Sequence, residues 1–253
     1  MKSIEFIGPP GSGKSFYKKG LLDYFHKEKI YTFDTTTIFY EKYPFLFKVN
    51  LFKLLFFRLK KIIVGKDNYL FRLINYYFDK IYDFKKEYLF LNNRNILKKF
   101  TEEYFKIFDK YEKKVFLRNK LKKWLSKELP SIYLSKKIKS KFQIFINSEG
   151  INQRIIRLIL NQKKKSNLIL NRLNYNFFES DILVFIDTKP KKCMRRLKKR
   201  SSKKYTKNEI QNFYDKSKIL FKKSKKIKFK IDANSNSDKV FMKILKILTH
   251  TKK

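Results

Sequence analysis

The run Gly8-Pro9-Pro10-Gly11-Ser12-Gly13-Lys14-Ser15 has the residue types and spacing that hold a polyphosphate. It matches G-x-x-x-x-G-K-[ST] at every fixed position. Glycines reach conformations closed to other residues, which lets backbone N–H groups close on phosphate oxygens. A helix that begins near Lys14 aims its positive N-terminal end at the same anion. Lys14 is placed to reach the β- and γ-phosphates, and the Ser15 hydroxyl to ligate Mg²⁺. Phe16 follows directly and is counted with the loop.

Such a loop works only between a strand and a helix, and the flanking sequence supplies both. Ser3 to Ile7 is a short apolar run that ends at the Gly-Pro-Pro-Gly turn. Lys14 to Lys27 has helical spacing, with Phe16, Leu21, Leu22 and Phe25 available for one face. Further strand-like runs are Ile30 to Phe33, Phe142 to Ile146, Ile182 to Ile186 and Lys228 to Ile231. Helical stretches separate them, including 44–137, Ile151 to about Phe178, and Pro190 to Arg200. Pro44, Pro130 and Pro190 each stand where a helix could begin. Strands alternating with helices call for right-handed crossovers. The expected product is one three-layer α/β P-loop NTPase domain over 1–253, with a parallel five-stranded sheet, helices on both faces and a large helical insertion at about 44–137.

Acids at strand ends are the next candidates, because open parallel sheets bind ligands outside their carboxyl ends. Asp34 closes the second strand and is expected to bind the acceptor; Thr35, Thr36 and Thr37 after it leave a helix cap as the rival role. Glu149, in Ser148-Glu149-Gly150, follows the third strand. It is expected to hold the Mg²⁺ shell or orient the acceptor hydroxyl, against a rival role for Ser148 and Glu149 at a helix N-terminus. Arg154, one turn further on, is expected to contact the acceptor or its phosphate.

The segment Asp181-Ile182-Leu183-Val184-Phe185-Ile186-Asp187-Thr188, then Pro190 and Arg196-Leu197-Lys198-Lys199-Arg200, resembles the thymidylate kinase-like branch of the P-loop nucleoside and nucleotide kinases. The ending, Ile231-Asp232-Ala233-Asn234 with Asp238 and Val240, is similar to that family as well. The resemblance spans roughly the first 40 and the last 110 residues. It implies ATP as phosphoryl donor, Mg²⁺ as cofactor and a lid at about 195–208 that brings Arg196 and Arg200 to the transferred group. A solvated basic helix face is the rival role for these two arginines. The family's Asp-Arg-Tyr motif and Glu-Pro pair are not found, and Ser148 stands where an acid is usual. The resemblance therefore leaves the acceptor open among nucleosides, nucleotides and sugar-type compounds.

Composition sets the outer limits. Hydrophobic residues make up 43% of the 253, enough for a packed core, and the formal net charge is +41. That charge invites a nucleic-acid partner, and with it the reading of a nucleic-acid-associated P-loop ATPase or polynucleotide kinase. The lysines, however, are spread along the whole chain beside an excess of Ile, Asn, Phe and Tyr, as biased codon usage also produces. A third reading, suggested by Ser148, is a nucleotide-binding module without transfer. Cys193 is the only cysteine, so neither an internal disulfide nor a cysteine zinc site can form. No uncharged run reaches the length of a membrane span, and the N-terminus runs straight into the phosphate loop; both point to a cytoplasmic protein. The apolar, lysine-dotted stretch Pro44 to Arg58 allows either core packing or peripheral membrane contact.

Overall fold

Five apolar runs become five parallel strands in the computed structural model, which describes residues 2–33, 95–137, 143–147, 150–160, 180–199, 205–232 and 238–250. In chain order they are β1 (Lys2–Ile7), β2 (Tyr31–Phe33), β3 (Gln143–Asn147), β4 (Ile182–Asp187) and β5 (Ile227–Asp232). The helices are α1 (Lys14–Lys27), α2 (Asn95–Tyr111), α3 (Val115–Lys137), α4 (Ile151–Ile159), α5 (Pro190–Lys199), α6 (Lys207–Lys223) and α7 (Asp238–His250). Strand order across the sheet is β2-β3-β1-β4-β5. Every neighbouring pair is parallel, with Glu5 opposite Asn147 on one side of β1 and opposite Leu183 on the other.

Alternation along the strands divides the core between two faces. Ile4 and Phe6 of β1, Ile144 and Ile146 of β3 and Val184 and Ile186 of β4 pack with Leu21 and Phe25 of α1 and Phe241 and Ile244 of α7. Ile7, Phe145, Leu183 and Phe185 face the other way, onto side chains of α2, α3, α4 and α6. Each fully buried Leu or Phe contributes about 1.5–3 kcal/mol, so two such layers hold the central strands from both sides. This is the expected three-layer α/β P-loop fold. The sheet edges are blunted: β2 is only three residues long, and β5 carries Lys228 and Lys230.

One proline expectation is corrected. Pro190 begins α5, but Pro130 lies inside α3 and starts no helix. Leu125 and Leu129 before it, and Ile132 and Tyr133 after it, are all buried in one cluster, and that burial outweighs the lost backbone bond. The helices α2 and α3 occupy the second half of the insertion; Pro44 to Arg58 lies outside the described residues. Among the described residues no helix is long and apolar enough to cross a membrane.

Candidate active site: a phosphate loop braced by its neighbours

The loop between β1 and α1 takes the conformation its glycines permit. Gly8, Gly11 and Gly13 have φ of 148°, 79° and 106°. Gly13 is the N-cap of α1 and supplies no side-chain cap, so no side chain covers the helix N-terminus from that position. Ser15 is exposed beside it, and Phe16 projects with 72% of its surface exposed. The Ser12 hydroxyl is buried inside the loop with no hydrogen-bond partner. An orphaned polar atom within a cradle of positive-φ glycines suits an anionic ligand.

Lys14 is folded back into this cradle. Its Nζ donates to the carbonyls of Gly8 at 2.8 Å and Pro9 at 3.2 Å, and the residue is 8% exposed. A triphosphate that recruits this ammonium competes with those carbonyls for its N–H donors.

Helix α5 presses on the loop from the far side. A Cβ at Gly11 would stand 2.7 Å from the Cys193 carbonyl oxygen and 3.0 Å from Leu197, so only glycine lets the loop and helix approach this closely. Arg196 reaches across with Nη1, donating to the Ser12 carbonyl at 2.8 Å and toward that of Gly11 at 3.4 Å. Thr188, at the end of β4, donates its hydroxyl to the same Ser12 oxygen at 2.8 Å. Arg195, in contrast, is exposed. The cations register electrostatically at Cys193: burial pushes this thiol up to about 11, while Arg196 and then Lys14 pull it down. Tyr17, also raised by burial, feels both Arg196 and Asp232.

The strand ends beyond the loop carry more polar groups. Asp187 closes β4 opposite Asp232 of β5. It accepts the Tyr214 hydroxyl at 2.7 Å and pairs with Lys230 at 3.2 Å. Burial first, then the Asp187 bond and charge, push Tyr214 up to about 12. Asp187, Asp232 and Tyr214 line a cleft of about 780 Å³ between α5 and α6, together with Lys192, Arg195 and Lys207.

Helix α4, which follows β3, brings residues to the loop from the other side. Its N-cap is Gly150, so Ser148 does not hold the N-cap position the rival reading gave it. Arg154 is 7% exposed; its Nε and Nη2 donate to Glu128 Oε1 at 3.2 and 2.8 Å, and its guanidinium lies 3.9 Å from the Trp124 ring centre. The candidate acceptor residue is thus already engaged with α3. Asp34, Glu149 and Arg200 lie outside the described residues. Two contacts were not singled out from sequence. Gln153 is hydrogen-bonded to Gly8, and Thr206 with Glu209 forms a capping box that starts α6. The T-x-x-E spacing was visible, whereas no local signal marks the Gln153 contact.

A Mg²⁺ ion in a phosphate loop takes its protein ligand from the loop hydroxyl and the rest from phosphate and water. Ser15 fits that requirement. Among the described residues there is no cluster of three His, Cys, Asp or Glu side chains, and this mode of binding needs none.

No protein-family model and no curated protein sequence matches this chain. Similar solved structures include deoxyadenosine kinase from M. mycoides with the products dCMP and a flexible dCDP bound. That structure aligns at TM-score 0.49 and 14% identity, covering 97% of this chain and 98% of its own. The same enzyme with bound dATP aligns at TM-score 0.48 and 13% identity over 97% and 98% of the two chains. With bound dCTP it aligns at TM-score 0.43 and 13% identity over 98% of each.

Proposed function

We propose that this chain is an ATP-dependent kinase of the thymidylate kinase-like kind, which passes the γ-phosphoryl group to a hydroxyl or phosphate of a small nucleoside, nucleotide or sugar-type acceptor. The observation that carries this reading is the braced phosphate loop: three positive-φ glycines, a buried Lys14 and an arginine of the β4 crossover helix hydrogen-bonded to the loop itself. Phosphoryl transfer asks a protein for positioning and for positive charge near the moving group, and the loop provides both.

Gly8 to Ser15 cradle the phosphates, with Phe16 at the rim. Lys14 leaves its carbonyl partners to reach the β- and γ-oxygens. Ser15 would ligate Mg²⁺ and Glu149 would hold its shell through water; the ion would neutralise charge on those oxygens. Arg196 fixes the loop and, with Arg200, supplies the cationic lid over the γ-phosphoryl group. Asp34 and Glu149 orient the acceptor. Arg154 serves the acceptor side by holding Trp124 and Glu128 in place.

An ADP-release screen with Mg²⁺·ATP against nucleosides, deoxynucleosides, nucleotides and sugars, with Lys14→Ala as blank, tests the reading. One acceptor class should raise release well above the blank. Release that no acceptor stimulates would sink it.

A further inference from the structure

The first glycine of the phosphate loop is held by a side chain from the opposite side of the site. Gln153 is 1% exposed and meets Gly8 with both ends of its amide. The Gly8 N–H donates to Oε1 at 3.3 Å, and Nε2 donates to the Gly8 carbonyl at 3.1 Å. Gln153 is itself anchored. Its backbone N–H donates to Glu5 Oε1 at 3.1 Å, and Glu5 Oε2 accepts from Asn152 Nδ2 at 2.9 Å. Glu5 is 1% exposed in the middle of β1, and a Cβ on Gly150 would lie 2.6 Å from its carboxyl carbon. The N-cap of α4 therefore rests on the Glu5 carboxylate, and residue 150 can do so only as glycine.

The Gly8 carbonyl takes a second bond, from Lys14 Nζ at 2.8 Å. When the lysine moves to a phosphate, that buried oxygen loses a donor, and a buried acceptor left unpaired is costly. Gln153 stays on the same oxygen and removes the cost. A primary amide does this with two separate ends, one accepting from the Gly8 N–H and the other donating to its carbonyl. A glutamate would face the carbonyl with an acceptor and add negative charge beside the phosphates; an asparagine is one methylene short.

We infer that Gln153, keyed by Glu5, is a positioning residue that holds Gly8 in its cradle conformation and frees Lys14 for the triphosphate. It also ties the N-terminus of α4 to the donor site. The inference rests on the triphosphate-binding part of the proposed function and not on the identity of the acceptor.

The chain has six glycines, so ¹⁵N-glycine labelling gives a spectrum in which the Gly8 amide can be followed. Its hydrogen exchange is to be measured beside the Kd for Mg²⁺·AMPPNP in wild type, Gln153→Ala, Gln153→Glu, Lys14→Ala and the Lys14→Ala/Gln153→Ala pair. In Gln153→Ala, Gly8 should exchange about tenfold faster and Kd should rise about tenfold. Gln153→Glu should do at least as much harm. In the Lys14→Ala background, where no lysine has to be released, the Kd penalty should shrink to less than about twofold. An unchanged Gly8 exchange rate, or the same Kd penalty in both backgrounds, would overturn the inference. Should Gln153→Ala fail to fold, Gln153→Asn carries the same readings. The kinase reading fails differently, through absent phosphoryl transfer while AMPPNP binding and the Gly8 clamp persist.

Discussion

Removing the Arg154 guanidinium should cost this protein a large share of its stability. Arg154 and its partner Glu128 have side chains only 8% and 7% exposed and lie 2.8 Å apart. Two N–H groups converge on one carboxylate oxygen, and the ring of Trp124 covers the guanidinium at 3.9 Å. Arg154→Ala deletes these bonds and leaves a carboxylate buried beside α4. Breaking one side of such a pair costs about 3–5 kcal/mol, a large part of the roughly 5–15 kcal/mol available to a domain. At roughly 2–4 °C per kcal/mol for a chain of this size, the melting temperature should fall by roughly 6–20 °C. Replacing both partners with apolar groups, Arg154→Met with Glu128→Leu, should recover most of the loss, because no charge is then left buried. Trp124 is the only tryptophan, so its fluorescence during urea unfolding reports at the perturbed site. A loss under 1 kcal/mol for Arg154→Ala, or a double variant no better than the single one, would refute the reasoning. If Arg154 also serves the acceptor, the recovered double variant should still show a raised acceptor KM.

Three other outcomes are expected. Gly11→Ala places a methyl against the Cys193 carbonyl at a φ of 79°, and the loop cannot give way. It should destabilise by about 1–3 kcal/mol and abolish Mg²⁺·AMPPNP binding in calorimetry. Cys193 is fully buried and its thiol is pushed up to about 11, so the native protein should resist a thiol reagent at pH 8 and react only when unfolded in urea. Tyr214, pushed up to about 12, holds its proton more tightly in the folded state than in the unfolded chain, where a phenol titrates near 10. Its stabilisation is therefore complete below pH ~10 and fades as pH rises toward ~12. The advantage of wild type over Tyr214→Phe in chemical unfolding, about 0.5–1.5 kcal/mol at neutral pH, should shrink across that window.

The strands were legible because parallel strands buried on both faces read as continuous apolar runs, and Ile182 to Asp187 is such a run. The phosphate loop was legible because its mechanics need fixed residue types at fixed spacing. Arg196 was expected in a lid over the transferred group; its partners among the described residues are the loop carbonyls of Gly11 and Ser12. Harder to read was whatever depends on residues far apart in sequence. Glu5 and Gln153 are separated by 148 positions, and neither shows a local pattern that predicts the other. A carboxylate inside an apolar strand was the one available hint of a buried partner. Pro130 misled because local propensity marks it as a boundary, while the flanking Leu129 and Ile132 are committed to the same core and carry the helix through.

Tracing the label of [γ-³²P]ATP tests the central claim most directly. Incubated with Mg²⁺ and the acceptor found by screening, wild-type protein should move the label onto that acceptor, and Lys14→Ala should not. Label recovered only as inorganic phosphate, or left on ATP in the presence of every acceptor class, would contradict the account.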